Sequence, residues 1–394
     1  MNTHSKLFDL STAEREALGI VHTLGEILQQ PQTWPRTYQK FLSFAPRIAE
    51  FLNRAGLDKN GLSPLNVLLV GAGTSDYIGK SVCALLQKEW HCPVVAVPST
   101  DLLTNMEDHV IQDRDYLWIS FSRSGDSSEG VAVLQEALNR FSRIKHLIVT
   151  CNQNGQMAHL FENEKNVLSF VLDDEVNDRG LAMTSSFSNM VIVGQALAHF
   201  RSLATYRETV DSLATSAAML IPNAMPVCER LVAEGFSKIC FLGSGPLKGA
   251  AIESALKVLE LTSGRVISFS ESFLGLRHGP LSAIDKETLV VGYLSSDSRR
   301  QAFELDLLHE IFEKKLTQKG LLVIPAALTN GLNSFTNTLN LELPEHVSDH
   351  YLPPLFVLVG QFLGLFASLR EGLRPDEPSP HGAISRVVSH VTIH

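Results

Sequence analysis

Asn66-VLLVGAG-Thr74 and, 172 positions further on, Lys238-ICFLGSG-Pro246 both run an apolar stretch into a Gly-x-Gly turn. Gly71 falls over Gly243 and Gly73 over Gly245, and the same offset lays Val94-VAV over Val266-ISF and Leu117-WISF over Leu289-VVGY. A fourth window, Met190-VIVGQALAHF against Phe356-VLVGQFLGLF, shares V-x-V-G-Q-x-L-x-x-F at an offset of 166. Four windows in one order mark a duplicated domain. Within each copy, short apolar runs alternate with longer amphipathic stretches: VLLVG, a helix over 76–90, VVAV, LWISF, a helix over 128–141, HLIVTC. Strands that are apolar almost throughout, alternating with helices, predict an α/β fold with parallel sheets covered on both faces.

Working outward, the spacing predicts an N-terminal helical arm over 1–60, a first domain over 61–215 and a second over 216–394 with a C-terminal tail. In the arm, Leu7 to Gln30 reads as helix, ended by Pro31 and Pro35, and packs across the domains or on a partner subunit. The tail from Pro375 is turn-rich, then extended, and lies over something. A chain of 394 residues exceeds what one hydrophobic core serves. Its net charge of -9, without long acidic runs, argues against nucleic acid as a partner but permits a small anion in a local positive site. The five cysteines form no CxxC pair and mostly sit in apolar runs, so they read as buried thiols of a reducing compartment. The polar N-terminus carries no signal peptide, and the apolar run Leu355–Leu369 falls short of a membrane span. A cytoplasmic protein with no membrane partner is expected.

Two loops of the first copy suit an anion. Gly71-AGTS lies at the carboxyl end of the first strand, where open α/β sheets bind ligands. A dinucleotide fingerprint needs a third glycine where Asp76 stands, so the glycines and the hydroxyls of Thr74 and Ser75 serve something other than NAD, or only a tight turn. The second loop, Ser122-RSGDSSE, follows LWISF and opens a helix. A helix N-terminus offers unpaired N–H groups and partial positive charge, and hydroxyls at 122, 124 and 127 converge there around Gly125. A plain N-cap needs one hydroxyl, so the loop reads as a phosphate site. The second copy has Leu294-SSDSRR here and has lost the Ser-x-Ser-Gly pattern.

The second copy carries proton chemistry instead. In Glu253-SALKVLELTSG, residues Glu253, Lys257 and Glu260 fall at i, i+4 and i+7 along one helix face. An exposed salt-bridge stripe has the same spacing. The following element, Ser270-ESFLGLRHGP-Leu281, holds His278 in a loop after a strand, and a carboxylate pair, a lysine and a histidine near a phosphate suit proton transfer on a sugar phosphate. No cluster has metal-ligand spacing, and neither a metal nor a cofactor is expected.

With these motifs together, the sequence resembles the SIS (sugar isomerase) domain family, specifically its double-SIS type, and within that type AgaS-type galactosamine-6-phosphate deaminase/isomerases, also labelled tagatose-6-phosphate ketose/aldose isomerases. The arm segment Glu26-ILQQP and the tail SRVVSHVTI take part in the likeness. The resemblance implies two SIS domains, each a three-layer α/β/α sandwich of flavodoxin/Rossmann-like form. It implies that Ser122, Arg123, Ser124 and Ser127 hold the phosphate, and that Thr74, Ser75 and the backbone of Leu181 line the sugar. Glu260 matches the base that moves a proton between C1 and C2, Glu253 and Lys257 its neighbours, and His278 the ring-opening histidine supplied across a homodimer. Two departures stand out: Ser389 replaces a lysine near the end of the related synthase, and Asn2 stands where a glutaminase nucleophile would lead the chain. Without an ammonia source, the chemistry is expected to run towards release: galactosamine 6-phosphate and water to tagatose 6-phosphate and ammonia. The rivals are plain ketose/aldose isomerisation, a glucosamine-6-phosphate or sugar–amine deglycase, and a non-catalytic sugar-phosphate sensor. The sensor would carry a DNA-binding module or lack the Glu-Lys-Glu helix.

Overall fold

The structure, a computed structural model, describes residues 7, 9–57, 65–325, 337–388 and 391–393. The expected junction at 60/61 and Ser389 lie outside the described residues. The chain opens with α1 (Thr12–Leu18), α2 (Val21–Leu28) and α3 (Gln30–Arg54). The first sheet region runs β1 (Asn66–Gly71), α4 (Thr74–Trp90), β2 (Val94–Pro98), α5 (Ser99–His109), β3 (Tyr116–Ser122), α6 (Ser128–Arg140), β4 (Ile144–Thr150), α7 (Gln156–His159), β5 (Val167–Val171) and α8 (Ser185–Ala198). After α9 (Leu203–Glu234), the second runs β6 (Lys238–Gly243), α10 (Lys248–Leu261), β7 (Ile267–Glu271), α11 (Phe273–Leu276), β8 (Thr288–Tyr293), α12 (Ser298–Glu313), β9 (Gly320–Pro325), β10 (Thr338–Leu341) and α13 (Pro353–Arg370). There are two compact units. The first comprises Gln32–Asp178, Ser185–Val210 and Ile384–His394; the second comprises Met1–Pro31, Arg179–Thr184 and Asp211–Ala383.

Each unit holds a five-stranded parallel sheet, ordered β2-β1-β3-β4-β5 in the first and β7-β6-β8-β9-β10 in the second. The permutation is the same, as a duplicated domain requires. Equivalent glycines do equivalent work. A Cβ on Gly71 would stand 2.4 Å from the Ser75 backbone, and one on Gly243 would stand 2.5 Å from the Leu247 carbonyl oxygen, so both turns need glycine for the helix to return so close to its strand. In the first unit α8 packs on α4 with Gly194 against Val82; in the second α13 packs on α10 with Gly360 against Ser254, which is Val82 plus 172.

One part of the alignment needs correction. Val67 pairs with Leu117 and Ile239 with Leu289, so the offset of 172 holds there. Val67 also sits opposite Val94, but Ile239 sits opposite Ser268 and not Val266. The connection from α10 to β7 is two residues longer than that from α4 to β2. A slip of two leaves every side chain on its own face, so the apolar pattern survives and hides the shift.

The arm also departs from expectation. Its first helix ends early, at Gly19 in the left-handed conformation (φ 64°), after an N-terminal capping box between Ser11 and Glu14. Pro31 and Pro35 do not end a helix; they lie in the first turns of α3, which runs on through Pro46. Pro31 sits where an N–H would have no helical partner, and burial of Trp34, Tyr38, Phe41, Phe51 and Leu52 offsets the one bond that Pro35 forgoes. Trp34 donates to Ser188 (2.9 Å) and Thr37 to Asn189 (2.7 Å), which ties α3 to α8 inside the first unit. Helix α2 packs on α13 in the second, where Gln30 donates to Gln361 (2.7 Å). Helix α13 is long and apolar enough to cross a membrane, but 89% of that stretch is buried inside the protein, so it forms a core helix. All five cysteines are free thiols.

In the core of the first sheet, His146 on β4 is fully buried edge-on to Trp118, ring centroids 5.3 Å apart, and among the described residues neither ring nitrogen has a hydrogen-bond partner. Burial, and then the charge of Lys145, pushes its pKa down to about 3. The folded value lies below the unfolded one, so this histidine's contribution to stability is present above about pH 6.5 and drains away as the pH falls towards 3. His146→Phe is expected to lose about 3 kcal/mol less stability than the parent between pH 7.5 and 4.5, measured by urea unfolding. Equal losses in the two proteins would remove His146 as the acid-sensitive group.

Candidate active site

In the first unit the Ser122–Ser127 loop is fixed by its own hydrogen bonds. The Ser122 hydroxyl accepts from the Gly125 N–H (3.0 Å) and the Ser124 hydroxyl from the Asp126 N–H (3.2 Å). A hydroxyl whose oxygen accepts locally keeps its proton for a ligand. Ser127 is the N-cap of α6 yet makes no side-chain cap bond to the described residues, so the simple capping role does not consume it. Asn152 donates to the Ser124 carbonyl (2.9 Å) and to Asp126 (3.2 Å), and Asp126 accepts the Gln156 N–H (2.9 Å). Gly125 has φ 64° and lies against Gly155, where a Cβ would come within 2.5 Å of the Ser124 carbonyl oxygen. Arg123 is buried, its guanidinium donating to the Arg386 carbonyl. Thr74 and Ser75 are buried at the start of α4, behind Gly73 at φ 57°.

The acid–base helix is in the second unit. Glu253 and Lys257 on α10 are fully buried, which rules out an exposed stripe. The Lys257 ammonium lies 3.2 Å from Glu253 and donates to Glu260 at 2.6 Å; the Glu260 side chain is 24% exposed. Burial works to lower the Lys257 pKa, but the two carboxylates outweigh it and hold the lysine above its ordinary value. At the same positions α4 carries Ser81, Leu85 and Lys88, so only one copy has this triad. Its burial comes from α13: Gly360 and Gly364 let that helix approach until a Cβ on Gly364 would stand 3.1 Å from the Lys257 carbonyl oxygen.

A profile of the SIS domain family matches residues 63–200. The D-galactosamine-6-phosphate deaminase AgaS of Escherichia coli is 35% identical over 370 residues, 94% of each chain. The chain belongs to the AgaS family of SIS-domain proteins. Two solved structures agree: a Clostridium novyi protein provisionally named a tagatose-6-phosphate ketose/aldose isomerase (TM-score 0.92, 31% identity, 99% of both chains), and the tagatose-6-phosphate ketose/aldose isomerase of Escherichia coli (TM-score 0.86, 32% identity, 95% of this chain and 96% of that one).

Two further residues expected at the site lie in the second unit. His278 is exposed beyond α11, in a turn where Gly279 takes φ 124°, and its neighbour Arg277 is paired with Glu310 (2.7 Å) and Asp306 (2.9 Å). Leu181 donates its N–H to the Asp376 carbonyl (3.0 Å). Its segment is pinned further by Glu26, which accepts from the Arg179 and Gly180 N–H groups, while the Asp376 carboxylate takes the N–H of Thr23 (2.7 Å) and of His22 (3.1 Å). Sequence reading passed over Asn152, Asp126 and Arg386, which brace the loop. It also left the tail without a place. Within the first unit the Val388 carbonyl accepts the Ser128 N–H (3.5 Å) and Arg386 donates to the Asp178 carbonyl (2.7 Å), so the tail lies along the serine loop. Among the described residues no group of three or more His, Cys, Asp and Glu is placed to hold a metal ion.

Proposed function

We propose that this chain converts galactosamine 6-phosphate and water to tagatose 6-phosphate and ammonia. The observation that carries the reading is the buried Glu253–Lys257–Glu260 triad in a chain so closely related to D-galactosamine-6-phosphate deaminases. The phosphate binds to the hydroxyls of Ser122, Ser124 and Ser127 with Arg123, and Thr74, Ser75 and the Leu181 backbone line the sugar. His278, contributed by the partner subunit of a homodimer, helps open the pyranose; its exposure supports such a role. Glu260 removes the C2 proton of the open aldehyde and a proton returns to C1 through an enolamine. Water then hydrolyses the C2 imine and releases ammonia. Glu260 acts as the base, held by a 2.6 Å hydrogen bond from the Lys257 ammonium, whose other carboxylate neighbour is Glu253 at 3.2 Å. The enzyme works in the cytoplasm on a small-molecule substrate, with no nucleic acid, membrane or cofactor in its cycle.

The name of the Escherichia coli structural relative favours a second reading, the same C1/C2 proton shuttle on a sugar phosphate that carries no nitrogen. An ammonia-release screen across 6-phosphorylated amino sugars separates the two. Stoichiometric ammonia from galactosamine 6-phosphate is the expected result; interconversion of tagatose 6-phosphate with its aldose and no ammonia would leave only the isomerase. Ser124→Ala removes one phosphate donor and is expected to raise KM about tenfold with kcat nearly unchanged. A fall in kcat at constant KM would move Ser124 out of ground-state binding.

A further inference from the structure

The second unit has its own strand–loop–helix where the first has the serine loop: β8, then Leu294-SSDS, then α12. At the offset of 172, Ser295 and Ser296 stand where Arg123 and Ser124 stand, and α12 starts two residues before the position that Ser128 predicts. The loop is occupied by a carboxylate from the same unit. Asp349 Oδ1 accepts the Ser296 N–H and the Ser296 hydroxyl, both at 2.7 Å, and Oδ2 accepts the Ser295 hydroxyl and Arg300 Nη1. Asp349 is 2% exposed and comes from a short turn just before α13, about fifty residues further along the chain. It is not the helix cap, because Asp297 already fills that role by accepting the Arg300 N–H (2.9 Å). Two hydroxyls, a backbone amide and a guanidinium converging on one buried anion at a long helix's N-terminus make a donor set that suits a phosphate oxygen as well as a carboxylate.

We propose that the β8–α12 loop is a second oxyanion site whose resident anion is the Asp349 carboxylate, so that the chain takes one phosphate-type ligand and not two. Removing the carboxylate turns the loop into a site for inorganic phosphate. Arg300, 40% exposed on its side chain, provides the route from solvent and is left with an uncompensated charge to attract the ion. Glu304 is compatible with an incoming anion. Its Oε2 holds the Ser295 N–H (2.8 Å), and burial, with the Asp349 charge as a lesser cause, pushes its pKa up to about 7; a phosphate in place of Asp349 keeps a negative charge beside it.

The test is calorimetric titration of the parent and Asp349→Ala with inorganic phosphate at pH 6, in chloride of matched ionic strength. The expected result is one more phosphate per chain in the variant, with the added ion seen against Ser295, Ser296 and Arg300 in crystals grown from phosphate. Because the readout is the increment, it stands whether or not the serine loop of the first unit binds phosphate, and it must persist in Asp349→Ala combined with Ser124→Ala. A folded Asp349→Ala with the parent's stoichiometry overturns the proposal, as does a parent that already fills this loop with phosphate. Should Asp349→Ala fail to fold in chloride, refolding in phosphate is the same test: recovery supports the resident-anion role, and equal failure in both salts refutes it.

Discussion

Glu260→Gln is expected to lower kcat by about 10²- to 10⁴-fold while the enzyme still binds sugar phosphates at close to the parent affinity. The substitution keeps the shape of the side chain and an oxygen for the Lys257 ammonium, so the helix has no reason to move. What it removes is the proposed proton acceptor. Because the proposed phosphate donors lie on a different loop, in a different unit, binding measured by calorimetry with a non-reacting sugar phosphate has no reason to fall with turnover. A melting temperature equal to the parent's would show the loss to be chemical. Retained turnover would take the base away from Glu260.

Lys257→Met should be far more damaging to the fold. The ammonium lies between two carboxylates, and its removal leaves the fully buried Glu253 carboxylate without its cation and facing the like charge of Glu260. Breaking a buried ion pair from one side costs roughly 3–5 kcal/mol. Urea unfolding at pH 7.5 should show a loss of that size. The double variant Lys257→Met with Glu253→Gln should recover much of it, because the buried uncompensated charge is then gone. Activity should not return, since the ammonium that holds Glu260 by a hydrogen bond is still missing. A single variant as stable as the parent would mean that the triad is solvated in solution.

The duplication was legible because its signals are steric. Strands buried on both faces stay apolar, and Gly71, Gly243, Gly194 and Gly360 stand where a side chain would clash. The two-residue slip at β7 was not legible, because a period of two disguises it. The serine loop stood out because three hydroxyls around a glycine are adjacent in sequence, whereas its braces, Asn152 and Arg386, come from distant segments. The spacing of Glu253, Lys257 and Glu260 is the same on a wet helix face and a dry one. What dries this one is Gly360 and Gly364 on α13, about a hundred residues away. Asp349 was invisible for the same reason: nothing local to it refers to the loop it fills.

Galactosamine 6-phosphate carrying deuterium at C2 tests the central claim most directly, since it follows the hydrogen that Glu260 must take and the nitrogen that must leave. The account predicts ammonia and tagatose 6-phosphate in equal amounts, a slowed turnover from breaking the C2–D bond, and the label found at C1 or washed into water. Recovery of the amino sugar with its label intact and no ammonia, from enzyme shown to bind it, would contradict the account.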